Sequence, residues 1–348
     1  LSIRGQTNGK YFQSYNISFT EPWLGGKKPN SFSVSAFHSL SNISGLPKDD
    51  PDRSAVSISG ASVGLGKRLK WPDDYFSVYH ELSYEYYDIQ NYSAFVFDNG
   101  YSHNLAYQYV LSRNSIDNPL YPKGGSKITF SAKMTFPYSL VDGVDDYSDL
   151  PDQQLYKFAE YYKLKFTTSY FTPLSPDKKL VLNTKIGFGF LGNYSKAKGA
   201  SPFERFYLGG RGLTGFQLDS REIIALRGND DMSLSPTVGG LIIAKYTLEL
   251  RYPITLNPQA TIYALTFAEA GNTWNNFKEF NPFKVNRSVG VGVRVFLPMF
   301  GLLGVDYGWG FDKTDSGGQG AAGVNAAIEQ KGYFGKFHFT IGMNLGEL

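Results

Sequence analysis

From residue 127 to residue 136 the chain alternates polar and apolar side chains: Lys127, Ile128, Thr129, Phe130, Ser131, Ala132, Lys133, Met134, Thr135, Phe136. A period of two marks a β-strand with one apolar face. The pattern recurs far downstream. Tyr246, Leu248, Leu250, Tyr252 and Ile254 alternate with Lys245, Thr247, Glu249 and Arg251, so three charges share one strand face. Val289, Val291, Val293 and Val295 alternate with Gly290, Gly292 and Arg294. Leu303, Val305, Tyr307, Trp309 and Phe311 alternate with Gly304, Asp306, Gly308, Gly310 and Asp312. In a soluble sandwich the apolar faces pack on one another, whereas in a membrane barrel they meet lipid and the polar faces line the lumen.

The lengths and order of the connections favour the barrel. The periodicity predicts about 14 strands, near 2–9, 11–23, 31–40, 55–69, 75–89, 103–115, 125–137, 156–172, 180–193, 241–253, 260–271, 286–297, 302–312 and 334–345. Many match the roughly 9 to 11 residues that cross a bilayer at a tilt. From the second strand onward, short Pro- or Gly-bearing turns alternate with longer polar loops near 41–54, 90–102, 138–155, 194–240, 272–285 and 313–333. Short turns on one side and long loops on the other fit an outer-membrane barrel. Tyr and Trp at expected strand ends, including Tyr11, Trp23, Trp71, Tyr75, Tyr101, Tyr121, Tyr138 and Trp274, suit the two headgroup layers. The fold class expected is all-β: a transmembrane antiparallel β-barrel, one domain over residues 1–348, with 194–240 as a long loop entering the lumen.

Composition narrows the function. The 27 Phe, 25 Tyr and 38 Gly are unlike an ordinary soluble domain, and the absence of Cys removes disulfides and thiolate metal sites. No stretch approaches the roughly 18 apolar residues of a spanning helix. A net charge of +3 makes no case for nucleic acid as a partner. The chain opens on Leu1 without a signal-like segment, and so reads as a mature or trimmed piece.

Candidate chemistry is sparse. Gly210, Gly212 and Gly215 match the dinucleotide fingerprint, but inside the longest loop and without a preceding buried strand. Gly60, Ser62 and Gly64 match the nucleophile-elbow spacing inside an alternating strand, where no sharp turn forms. His38, His80, His103 and His338 lie on four separate strands without metal-ligand spacing. The acids Asp142, Asp145, Asp146, Asp149 and Asp152 lack the calcium-loop pattern. No catalytic residue, cofactor or metal is therefore expected, and the chain is not expected to be an enzyme.

The 194–240 connection stands out among otherwise modest loops. In it, Phe203, Glu204, Arg205, Phe206, Tyr207 and Leu208 precede Gly209, Gly210, Arg211, Gly212, Leu213, Thr214, Gly215 and Phe216, a bulky segment on a permissive backbone. Together with Leu248 and Glu249, with Phe267, Glu269, Gly271 and Trp274, with Arg287, and with the closing alternation Phe337, Phe339, Ile341, this run resembles the barrel domain of the BamA family of outer-membrane insertases, in register over the whole chain. Glu21, Pro22 and Trp23 resemble that family's Asn-Pro-Tyr segment.

The resemblance implies a barrel of about 16 strands, with the first two absent here and periplasmic domains preceding it. It implies location in the outer membrane of a Gram-negative bacterium. Its implied partners are unfolded outer-membrane protein clients, outer-membrane lipids and accessory assembly subunits, with no nucleic acid. The family's Val-Arg-Gly-Phe loop tip contacts acids on the lumen wall. Carried over, the tip becomes Leu213, Thr214, Gly215 and Phe216, and the wall acids Glu249 and Glu269. Thr214 stands where the family has Arg, so Arg211, or else Arg221, is expected to supply the cation, with Arg211 beside Glu249 or Glu269. The C-terminal seam strand is expected to carry Phe337, Phe339, Ile341 and Met343. A secretion transporter, or a passive channel of the same architecture, is the competing reading.

Overall fold

The computed structural model describes residues 1–26, 30–93, 95–141, 143, 144, 147, 149–210, 221–257, 259–299, 301–312 and 335–341. The first nine strands are β1 (Ser2–Asn8), β2 (Phe12–Glu21), β3 (Asn30–Asn42), β4 (Ala55–Arg68), β5 (Phe76–Gln90), β6 (Gly100–Asn114), β7 (Gly125–Thr135), β8 (Tyr162–Pro173) and β9 (Val181–Gly192). Two short strands, β10 (Phe206–Leu208) and β11 (Glu222–Ile224), belong to the long loop. The chain continues with β12 (Ile242–Asn257), β13 (Ala260–Trp274), β14 (Asn286–Leu297), β15 (Gly301–Gly310) and β16 (Lys336–Ile341). Fourteen strands form one antiparallel meander in chain order, with β9 pairing directly to β12 across the loop. Among the described residues β1 and β16 are each paired on one side. The expected strands are all present. The main boundary correction is at β8, expected from residue 156. A single helical turn, Asp152–Leu155, and an isolated bridge from Phe158 to His103 take up the chain before the ladder starts at Tyr162.

The sheet is inside out relative to a soluble protein. Along β14 the pattern alternates strictly, Ser288, Gly290, Gly292 and Arg294 buried and Val289, Val291 and Val293 exposed. Val291 is 47% exposed and Phe337 61%, while Glu249 is 3% and Asp306 0% exposed. Neighbouring strands agree, because antiparallel pairing places like faces together: Val291 is opposite both Thr266 and Tyr307, and Gly292 is opposite Asp306. An outward face of Val, Leu, Phe and Tyr is stable only where the solvent is hydrocarbon, and an edge-minimised sheet satisfies its backbone there. No helix among the described residues is long and apolar enough to span a membrane.

The apolar core lies inside the sheet, on the long-loop side. Val56, Ile58, Tyr87, Ile89, Leu191 and Ile243 project inward from the strand ends and meet Phe203, Phe206, Leu208, Ile224 and Leu226 of the loop. Burying these side chains is worth roughly 1.5–3 kcal/mol each, which holds the loop as a plug rather than a surface excursion. Two of the aromatics expected at the headgroup layers are instead packed: Trp274 lies edge-on to Phe280 at 5.0 Å, and Tyr121 is buried against β13. Trp23 and Trp71 remain exposed.

Candidate functional site

The loop is built to fit the wall by charge as well as by apolar contact. β10 and β11 pair in parallel, Phe206 with Glu222 and Leu208 with Ile224, and turn two stretches of loop into one rigid unit. Gly209 and Gly210 follow at φ 106° and 125°, conformations that only glycine adopts without strain. This unit presents Glu204 and Glu222 to lysines of β7 and β8. Lys163 lies 2.8 Å from Glu204 and 2.6 Å from Glu222; Lys133 adds a second contact to Glu204 at 2.5 Å, and Lys165 a second to Glu222 at 2.8 Å. Burial raises the Glu222 carboxyl, but the two lysines outweigh it and bring the group down to about 2.

Three residues beyond β11 the polarity reverses. Arg227 enters a ring of carboxylates, reaching Glu269 at 2.9 Å, Glu249 at 3.3 Å and Asp306 at 3.4 Å, and its own amide donates to Glu269 at 2.8 Å. Its guanidinium lies 3.5 Å from the centre of the Phe267 ring. Each carboxylate has a further cation: Arg251 on Glu249 at 2.6 Å, Lys245 on Glu269 at 3.6 Å, and Arg294 on Asp306 through two bonds of 2.8 Å. Buried charges are tolerable only when paired and hydrogen-bonded in this way.

The next residue explains the fit. Gly228, at φ 89°, packs on the backbone of β15, where an added Cβ would lie 2.8 Å from atoms of Trp309 and Gly310. Its amide donates to Nε2 of His338 on β16 at 2.7 Å. Leu226, Arg227, Gly228 and Asn229 therefore form the loop tip, touching β12, β13, β15 and β16.

The expected wall acids, Glu249 and Glu269, face the lumen and, among the described residues, share one loop cation. That cation is Arg227. The expected tip, Arg211, Leu213, Thr214, Gly215 and Phe216, lies outside the described residues. Arg221 lies over the Tyr207 ring at 5.5 Å. Among the described residues of the loop, Arg227 is the cation that meets the wall acids. Phe337 and Phe339 of β16 point outward; Met343 lies outside the described residues. Sequence reasoning missed Asp306, Arg294, His338 and the lysines Lys133, Lys163 and Lys165. Their one legible signal was a charge on the polar face of an alternating strand.

An inside-out antiparallel sheet whose lumen is closed by its own ionically anchored loop defines a transmembrane β-barrel of the outer-membrane type. The model of the Omp85 superfamily domain matches residues 1–344. The chain belongs to the Omp85 superfamily and is a β-barrel of the Gram-negative outer membrane.

Among characterised proteins, the outer membrane protein assembly factor BamA of Neisseria meningitidis serogroup B is 27% identical over 194 residues, covering 53% of this chain and 20% of that protein. The structure of BamA from Haemophilus ducreyi lacking POTRA domains 1–3 shares the fold with a TM-score of 0.64 at 20% identity, over 90% of this chain and 61% of that one. CdiB from Escherichia coli shares it with a TM-score of 0.53 at 12% identity, over 87% and 50%. The chain thus corresponds to part of the length of these relatives.

Proposed function

We propose that this chain is the barrel core of an outer-membrane protein insertase, which folds client β-barrels at a seam bounded by its C-terminal strand. The observation that carries the reading is the grip of the loop tip on β16. Arg227 is held by acids of β12, β13 and β15, and Gly228 donates to His338 of β16. A strand edge in lipid is costly because its amide and carbonyl groups have no solvent partner, so a barrel can expose one only transiently and under control. A client strand adding to β16 by β-augmentation would satisfy that edge while the loop tip holds the opposite face of the strand. The work is done by hydrogen-bond exchange, with no covalent step, nucleotide or cofactor. Unfolded outer-membrane proteins, outer-membrane lipids and accessory assembly subunits are the partners this reading requires.

The likeness to BamA in both sequence and fold supports the insertase over the alternative. The alternative, a secretion transporter or channel, draws on the likeness to CdiB and on a cavity beside the loop tip, lined in part by Lys127, Thr167, Ser169, Lys185 and Lys245. Reconstitution of the full-length protein in liposomes separates them. The insertase accelerates folding of an unrelated barrel protein at least tenfold. Unchanged folding with large, steady ion conductance would overturn the proposal in favour of the pore.

A further inference from the structure

The connection between β6 and β7 is a short turn, and yet it reaches well beyond its own hairpin. Asn118 folds it, its side-chain oxygen accepting from the amides of Leu120 at 2.9 Å and Tyr121 at 3.1 Å, while Asp117 accepts from the amide of Lys123 at 3.0 Å. Folded in this way the turn carries Tyr121 past β8 and β9 to β12 and β13. The Tyr121 ring is 2% exposed and meets Tyr263 edge-on at 5.2 Å. Its hydroxyl donor lies between two carbonyls, 2.6 Å from Lys179 and 3.1 Å from Arg251. The position has a backbone reason: the β9–β12 ladder ends at the Val181–Arg251 pair while β12 runs on to Asn257, and the hydroxyl sits where the ladder stops. Burial pushes the phenol up to about 12 against the opposing pull of Arg251, so it remains a donor at any working pH.

Arg251 is the joint between this turn and the site. Its guanidinium lies over Phe171 at 5.3 Å and Tyr263 at 5.5 Å, and its Nε donates to Glu249 at 2.6 Å. Glu249 accepts from Arg227 at 3.3 Å, and the adjoining Gly228 donates to His338 at 2.7 Å. A chain of buried contacts therefore runs from the short turn to the terminal strand. Every link pairs polar or charged groups that are buried or partly buried, so displacing one member strains the next.

We infer that the 115–124 turn is a strap, which holds the loop tip on β16 through Tyr121 and Arg251 and so couples the short-turn mouth of the barrel to its C-terminal strand. The inference rests on the proposal that the loop tip controls β16, and adds the element that regulates it. A partner that pulls the turn loosens the grip on β16; by linkage, a client that displaces β16 loosens the turn to the same degree.

The test is hydrogen exchange on the full-length protein in lipid nanodiscs, without client. Tyr121→Phe keeps the ring and removes the donor. Amide exchange is expected to rise about fivefold or more in the turn, in residues 226–229 and in β16. Arg227→Gln is expected to raise exchange in 115–124 in return, and the double variant to fall short of the product of the two singles. Changes confined to the turn and the β8–β9 connection, or effects that simply multiply, would overturn the strap. If Tyr121→Phe does not fold, Asn118→Ala loosens the turn without touching β12 and carries the same expectations. Because no client is present, coupling without accelerated folding in liposomes sinks the insertase reading alone, and accelerated folding without coupling sinks the strap alone.

Discussion

Replacing Arg227 by Gln removes the cation on which three wall carboxylates converge. Breaking a buried ion pair by deleting one partner costs about 3–5 kcal/mol, because the remaining charge is left uncompensated. Here the loss is moderated, since Glu249 keeps Arg251, Asp306 keeps its two bonds to Arg294, and Glu269 keeps Lys245 and the Thr247 hydroxyl. The expected cost is therefore at the lower end, about 3 kcal/mol, a factor of roughly one hundred in the docking equilibrium of the tip. The apolar contacts of Phe206, Leu208 and Ile224 keep the rest of the plug in place. Hydrogen exchange followed by mass spectrometry reads this directly: protection falls by about two orders of magnitude in 226–229 and much less in β10. Arg227→Lys, which keeps the charge but loses the planar fork, gives an intermediate loss. Exchange within twofold of the parent in Arg227→Gln would refute the claim that the ring of acids holds the tip.

Three further outcomes follow from other parts of the structure. Gly228→Ala places a Cβ against the backbone of Trp309 and Gly310 at a positive φ, and is expected to release the tip by at least about 2 kcal/mol, seen as new protease cleavage near residue 228. Val291→Lys puts a charge on the outward face of β14 and is expected to cost about 2–4 kcal/mol in denaturant unfolding from lipid vesicles; a neutral result would mean that this face does not meet hydrocarbon. Acidification should loosen the loop on its lysine side: the folded Glu222 carboxyl titrates near 2, below its ordinary value of 4.5, so its stabilisation is complete above pH 4.5 and is lost as pH falls from there toward 2. Fluorescence of a probe in the loop, followed over that window, checks it, and Glu222→Gln should abolish this component.

The alternation of side chains along the strands, together with the alternation of short turns and long loops, was enough to reveal the barrel. A period of two is a local property, and the outward placement of Val289, Val291 and Val293 follows once the solvent is lipid. The loop's length and its glycines were legible for the same reason, since each depends on its near neighbours, while the wall acids Glu249 and Glu269 were what the resemblance implied. The partner of those acids was not legible. The 194–240 segment carries Arg205, Arg211, Arg221 and Arg227, and composition does not distinguish among them. Arg205 turns back to the carbonyl of Ser201 and Arg221 lies over Tyr207, while the rigid β10–β11 unit delivers Arg227 to the ring formed by β12, β13 and β15. Tyr121 was read as a headgroup-layer aromatic because it sits at a strand end, and only the folded turn shows it to be a buried link between hairpins. Pattern along the chain decides which face of a strand meets lipid. Which charges meet across the lumen depends on the separation of residues far apart in sequence, and that separation exists only in the assembled sheet.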